Sequence, residues 1–163
     1  SLNIMIEKII QKIGNVCSWL SFALVILITT DVFLRYIFNF SSASLYELEW
    51  HFFAIIFLLG SSITLQKDEH VRVDVFYNSF SNKKKEIVNL IGNIFFLLPF
   101  SIIIFYTSIP FVEDSLMILE SSPDPGGLPY RFVIKSIIPL SFFLLAVQGI
   151  VNIINNLKKI SNG

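Results

Sequence analysis

The chain has 163 residues, a mean hydropathy of +0.71 and 54% hydrophobic side chains. Charged residues make up 15%, against about 25% in ordinary soluble domains, so a single soluble core cannot hide this much apolar surface and a membrane protein is expected. The zero net charge gives no bulk field for nucleic acid, and the lone cysteine, Cys17, excludes an intrachain disulfide or a cysteine-based metal cluster.

In chain order, "NIMIEKIIQKIGN" is amphipathic, and the apolar run after it is too long for a signal h-region, so no cleavable signal is expected. Four segments reach the roughly 20 apolar residues that a membrane helix needs. They lie at about 13–38, 48–65, 87–111 and 132–154. With no internal repeat and no low-complexity linker, the expectation is one all-α domain over 1–163, an integral membrane bundle of four transmembrane helices.

In the first span, Asp31 and Arg35 stand at i, i+4 on one face. At 1.5 Å per residue Asp31 lies about 27 Å beyond Ile13, near the far interface of a roughly 30 Å core. The pair therefore reads as an interfacial anchor with Arg35 snorkelling outward. A midplane charge would cost about 2.5–3.5 kcal/mol.

Glu47 and Glu49 open the second span, where the helix dipole favours carboxylates. A Glu47–Arg35 salt bridge across the short loop is expected. Gly60, Ser61, Ser62 and Thr64 in this span, and Ala146 and Gly149 in the fourth, are small enough to let helices approach closely. Pro99, Pro110 and Pro139 are expected to kink their helices.

After the second span comes "QKDEHVRVDVFY", residues 66–77. His70 with Asp68, Glu69 or Asp74 suggests an acid–base set, and His70 with Asp74 a metal site. The stretch holds no H-E-x-x-H, nucleophile elbow or glycine-rich phosphate loop. No catalytic, substrate-binding, cofactor or metal residue is assigned, and no enzyme is expected. Alternation of Val71, Val73 and Val75 suggests a strand. A helical reading puts Val75, Phe76, Ser79 and Phe80 on one side, as a short interfacial helix after the second span.

Lysine and arginine placement sets the orientation. Lys8 and Lys12, then Lys67, Arg72, Lys83, Lys84 and Lys85, then Lys158 and Lys159 fall on one side of four spans. The opposite side has "NFSSASLYE" and a loop with Glu113, Asp114, Glu120 and Asp124 against Arg131. Both termini are therefore expected in the cytoplasm.

The order of "DVFLRYIFN", an acidic start to span two, "FLLGSSITLQKDEHVRVDVF" and "GGLPYRFVIKSIIPLSFFL" resembles the small membrane subunit, DctQ type, of tripartite ATP-independent periplasmic (TRAP) transporters. The resemblance rests most on Gly60 and, ten residues on, His70, Val71, Arg72, Val73 and Asp74. Leu34, Arg35, Tyr36 and Pro139 add to it. Two features depart from the family pattern. The first loop lacks the usual proline and tryptophan, and the two glutamates are not adjacent; Glu47 takes the acidic position.

The resemblance implies an unfused scaffold subunit in a heterodimer with a large membrane subunit that holds the transport path. It also implies a periplasmic substrate-binding protein, a sodium gradient, and import of an organic acid such as sialic acid or a C4-dicarboxylate across the bacterial inner membrane. Asp31, Arg35, Tyr36, Glu47, Gly60, His70, Arg72, Asp74 and Pro139 are the expected structural or partner-interface residues; no cofactor is expected.

Two alternatives stay open. One is a redox-enzyme membrane anchor with haem or quinone at His51. Haem needs facing axial histidines, and His70 lies past the other end of the same span. The other is a self-sufficient homodimeric exporter with Asp31 or Glu47 as its proton site.

Overall fold

The computed structural model describes residues 2–67, 77 and 79–162, and every regular element among them is helical. Helix α1 spans Leu2–Ile37 and α2 spans Ala43–Gln66. The third span is α3 (Asn82–Gly92), a π-helical turn (Asn93–Leu97) and α4 (Leu98–Met117). A loop leads to the short α5 (Phe132–Lys135) and the long α6 (Ile137–Asn162).

Four of these stretches are long and apolar enough to cross a membrane: Ile4–Ile37, Ala43–Gln66, Asn82–Met117 and Phe132–Ser161. Each is longer than its hydropathy maximum. Hydropathy marks the part that fits the hydrocarbon, whereas helical hydrogen bonding continues through the interface. The 36 residues of α1 reach about 54 Å, well beyond a roughly 30 Å core.

Helix α1 packs chiefly on α2, α2 also on α6, and α6 on α3, the π turn and α4. Gln66 Nε2 donates to Glu7 O at 3.0 Å, and Lys159 Nζ pairs with Glu86 Oε1 at 3.2 Å. Both termini, the end of α2 and the start of α3 therefore share one end of the bundle. The links 38–42 and 118–131 share the other.

The burial pattern is inverted relative to a soluble protein. Trp19, Phe22, Phe53, Phe57, Phe95 and Tyr106 are exposed, whereas Ser62, Ser101, Ser108, Ser115, Ser141 and Gln148 are buried. Apolar side chains outside and small polar ones between helices suit a lipid solvent, which supplies no hydrophobic drive to helix association. Ser101, Ser108 and Ser115 repeat every seven residues, which keeps them in one row along α4. At Gly149 an added Cβ would come within 2.5 Å of Leu97 Cδ2, so glycine sets the approach of α6 to the π turn.

The prolines act locally. Pro99 cannot donate to the carbonyl four residues back, and just before it the helix widens to the π turn, where Leu98 N–H bonds Asn93 O. Pro139 likewise cannot donate to Lys135 O, and the helix is interrupted at Ser136, between α5 and α6. Pro110 lies inside α4. His70, Arg72 and Asp74, with the strand-or-interfacial-helix question over 71–76, lie outside the described residues.

Candidate functional site

The link after α4 contains "ESSPDPGGLPYR", and its turn chemistry is readable residue by residue. Asp124, Pro125, Gly126 and Gly127 form a turn closed by Gly127 N–H to Asp124 O at 3.0 Å. Proline presets the first central position, and Gly126 takes φ +79°, the left-handed value a type II turn requires there. The Ser122 hydroxyl accepts the Asp124 N–H at 3.1 Å, and Ser122 N–H bonds Leu128 O at 3.0 Å.

The end of α4 is capped by Leu119 N–H to Leu116 O at 3.1 Å and Glu120 N–H to Ser115 O at 2.9 Å. This is a Schellman arrangement, with Leu119 at φ 47° where glycine is usual. Tyr130, at φ 60°, holds a second left-handed position. Each such residue costs about 1–2 kcal/mol, so the link persists only if something outside it fixes its shape.

Glu47 does that. It sits one turn into α2 and is 2% exposed. Its Oε1 accepts hydrogen bonds from the Ser122 hydroxyl and from Arg131 Nη2, the latter at 3.0 Å. Its Oε2 accepts the Leu128 N–H at 2.6 Å. One buried carboxylate thus gathers both ends of the turn and the cation that follows it, and Ser44 Oγ donates to Gly126 O beside it. The expected Glu47–Arg35 salt bridge is replaced by Glu47–Arg131.

Arg35 is committed elsewhere: it pairs with Asp31, which is 2% exposed, while the Arg35 side chain is 48% exposed. Glu49 lies within electrostatic reach of both, and its Oε1 is buried without a partner among the described residues. Among the described residues, three cations stand at this end of the bundle, and each has a carboxylate: Arg35 with Asp31, Arg131 with Glu47, Lys135 with Glu120.

Of the other candidates, Tyr36 is strongly exposed, and Gly60 faces open space, with nothing within 4 Å of an added Cβ. Pro139 stands in the first turn of α6. His51 stacks on Trp50 with centroids 3.9 Å apart, and its Nδ1 meets the Glu47 carbonyl. Sequence reasoning missed Ser122, Leu128 and Arg131 as the partners of Glu47. The available clue was that Arg131 faces four carboxylates in its own loop region and "DPGG" demands a tight turn.

The second ion pair of the loop should respond to pH. Lys135 Nζ hydrogen-bonds Glu120 and lies 4.1 Å from the centroid of the Phe111 ring. The hydrogen bond from Lys135 is the main cause that holds the Glu120 carboxyl below the usual carboxylate range. A carboxyl lowered by folding binds fewer protons folded than unfolded. Its contribution is complete above the ordinary value, about 4.3 for glutamate, and is lost as pH falls through the lowered one. Amide hydrogen exchange at Arg131, whose N–H bonds Glu120 O at 2.7 Å, should therefore be slower in the wild type than in Glu120→Gln near neutrality. The two should begin to approach below the ordinary value and converge as the pH falls through the lowered one; a pH-independent difference would mean that the ion pair does not hold the link.

A family model described as tripartite ATP-independent periplasmic transporters, DctQ component, matches residues 24–159. No curated protein sequence matches the chain.

Proposed function

The chain belongs to the DctQ component family of TRAP transporters, and from that premise we propose that it is the scaffold subunit of a sodium-driven organic-acid importer. It pairs with a large membrane subunit that carries the transport site, and a periplasmic binding protein delivers the substrate, a sialic acid, a C4-dicarboxylate or a similar carboxylate. It resides in the inner membrane as one four-span domain with both termini cytoplasmic. The match over residues 24–159 carries this reading.

The use of polar residues supports the scaffold role. The serine row of α4 and Ser141 and Gln148 of α6 are buried between helices. Among the described residues, the cations of the loop end are held in ion pairs, Arg35 with Asp31, Arg131 with Glu47 and Lys135 with Glu120, and the last two tie down the link after α4. The lysine bias of the end carrying the termini supports the orientation.

Gly60 supports the joint with the partner. It lines a shallow groove between α1 and α2 with Gly14, Ser18, Ser21 and Thr64, small residues suited to close approach by a helix. The Cβ that Gly60→Leu adds meets no internal neighbour within 4 Å. Its thermal stability as the isolated chain should stay within about 1 kcal/mol of wild type, since helix propensity alone favours leucine. Co-purification of the large subunit should drop at least about tenfold, as expected when bulk enters a close-packed interface. Unchanged co-purification would place the joint elsewhere.

A further inference from the structure

A cavity of about 1420 Å³ opens at the end of the bundle that holds the termini, between α3 with its π turn, α6 and the end of α2. Its wall is rich in carboxamides. Asn93 on the π turn is 9% exposed and Asn156 on α6 is 8% exposed, and both line the cavity. No hydrogen bond to either side chain is found among the described residues. Their neighbours are satisfied: Asn89 Nδ2 donates to Tyr77 Oη at 2.9 Å, and Asn152 Nδ2 to Leu65 O at 3.3 Å. Neither amide is among the fully enclosed unpartnered atoms, so both open into the cavity, and two carboxamides on one wall give it a polar lining that suits a polar occupant. The π turn supports this, because such turns concentrate at functional positions and this one presents Asn93.

The mouth and the outer side define the occupant further. Lys85, Lys158 and Lys159 border the cavity. Glu86 pairs with Lys159 at 3.2 Å. Lys85 lies 5.4 Å from the centroid of the Tyr77 ring, a contact that leaves its charge intact. The described rim therefore keeps net positive charge beside Lys85 and Lys158. Phe96 and Phe100 border the same cavity and are exposed on the side where apolar residues face outward. An anion at the mouth, hydrogen-bond acceptors at the depth of the amides and an apolar tail along the phenylalanines describe one molecule.

We propose that this cleft holds one anionic glycerophospholipid. Its phosphate meets Lys85 and Lys158, its ester carbonyls accept from the Asn93 and Asn156 amides, and its acyl chains run over Phe96 and Phe100. A soluble phosphate would satisfy the lysines but not the aromatic side. A zwitterionic lipid would satisfy the amides and the aromatic side, but its own cation would oppose the lysine rim.

The test is native mass spectrometry of the full chain released from mild detergent after addition of phosphatidylglycerol or phosphatidylcholine. One retained phosphatidylglycerol is expected, in clear preference to phosphatidylcholine. In Lys85→Gln/Lys158→Gln, retention should fall at least about tenfold, given roughly 1 kcal/mol per lysine near an anionic headgroup. Lys8→Gln/Lys12→Gln, outside the cleft, should stay within about twofold. Asn93→Leu/Asn156→Leu should lose retention of both lipids. As a readout that needs no variant, phosphatidylglycerol should raise the melting temperature of the wild type, and phosphatidylcholine or inorganic phosphate should not.

Equal retention of the two lipids, or retention indifferent to the lysine pair, would overturn the proposal. Stabilisation by inorganic phosphate equal to that by lipid would make the cleft a free-anion site and overturn it too. Absence of any retained lipid or lipid-dependent shift would give the cavity to protein instead.

Discussion

Glu47→Ala should destabilise the chain by about 3–5 kcal/mol, because it strips the carboxylate from a buried ion pair and leaves Arg131 without its counter-charge. The same change orphans the Leu128 N–H and the Ser122 hydroxyl, both of which bond that carboxylate. The Arg131 side chain is 25% exposed, so water relieves part of the cost and the lower end of the range applies. Glu47→Gln keeps an acceptor but not the charge and should cost roughly half as much, in line with charged hydrogen bonds being about twice as strong as neutral ones.

The discriminating quantity is the coupling. In a thermal-unfolding cycle of Glu47→Ala, Arg131→Ala and the double variant, the two changes should couple by about 1–3 kcal/mol. Additive effects would mean that the pair does not hold the loop. If the large subunit touches this loop, its co-purification should fall in parallel with stability.

Gly127→Ala should be the most damaging single methyl in the link, at about 1–3 kcal/mol, the usual cost of overpacking. Its Cβ would lie 2.5 Å from Ser122 Cβ and 2.9 Å from Glu47 Oε2, so it strikes the residue at the centre of the network and one of that residue's donors. The adjacent Gly126→Ala has open space and pays only for its φ of +79°, about 1–2 kcal/mol. The two can be separated by background. With Glu47→Ala already present, the Gly127→Ala penalty should shrink, since part of the clash has gone, while the Gly126→Ala penalty should persist. Equal penalties in both backgrounds would show that Gly127 matters for reasons unrelated to Glu47.

The four spans were legible because their cause is collective: some 20 apolar residues in succession leave few alternatives to a membrane helix. The Asp31–Arg35 pair was legible because i, i+4 spacing is a local property of the helix. Glu47 stood out as an acid at a helix start, but its partner could not be chosen by proximity along the chain. Arg35 is nearer in sequence, yet Asp31 shares its helix face and takes it. Arg131 is 84 residues away and reaches Glu47 only because the "DPGG" turn folds the link over α2. Packing against α2 and α6 is what makes that approach, and no local pattern encodes it.

The serine row at 101, 108 and 115 is a plain seven-residue period that the apolar bulk of the span masks. The amide-lined cavity needs α3 and α6 side by side, so its members, 63 residues apart at Asn93 and Asn156, carry no joint mark in the sequence.

On the proposed function, this chain is one part of a transporter and does not transport by itself. Uptake of labelled sialic acid or C4-dicarboxylate into proteoliposomes under an inward sodium gradient tests it most directly. The vesicles would carry the chain alone, or the chain with the large membrane subunit, with the binding protein added outside. No uptake is predicted for the chain alone, and sodium-dependent uptake is predicted for the three components together. Robust uptake by the chain alone would contradict the account.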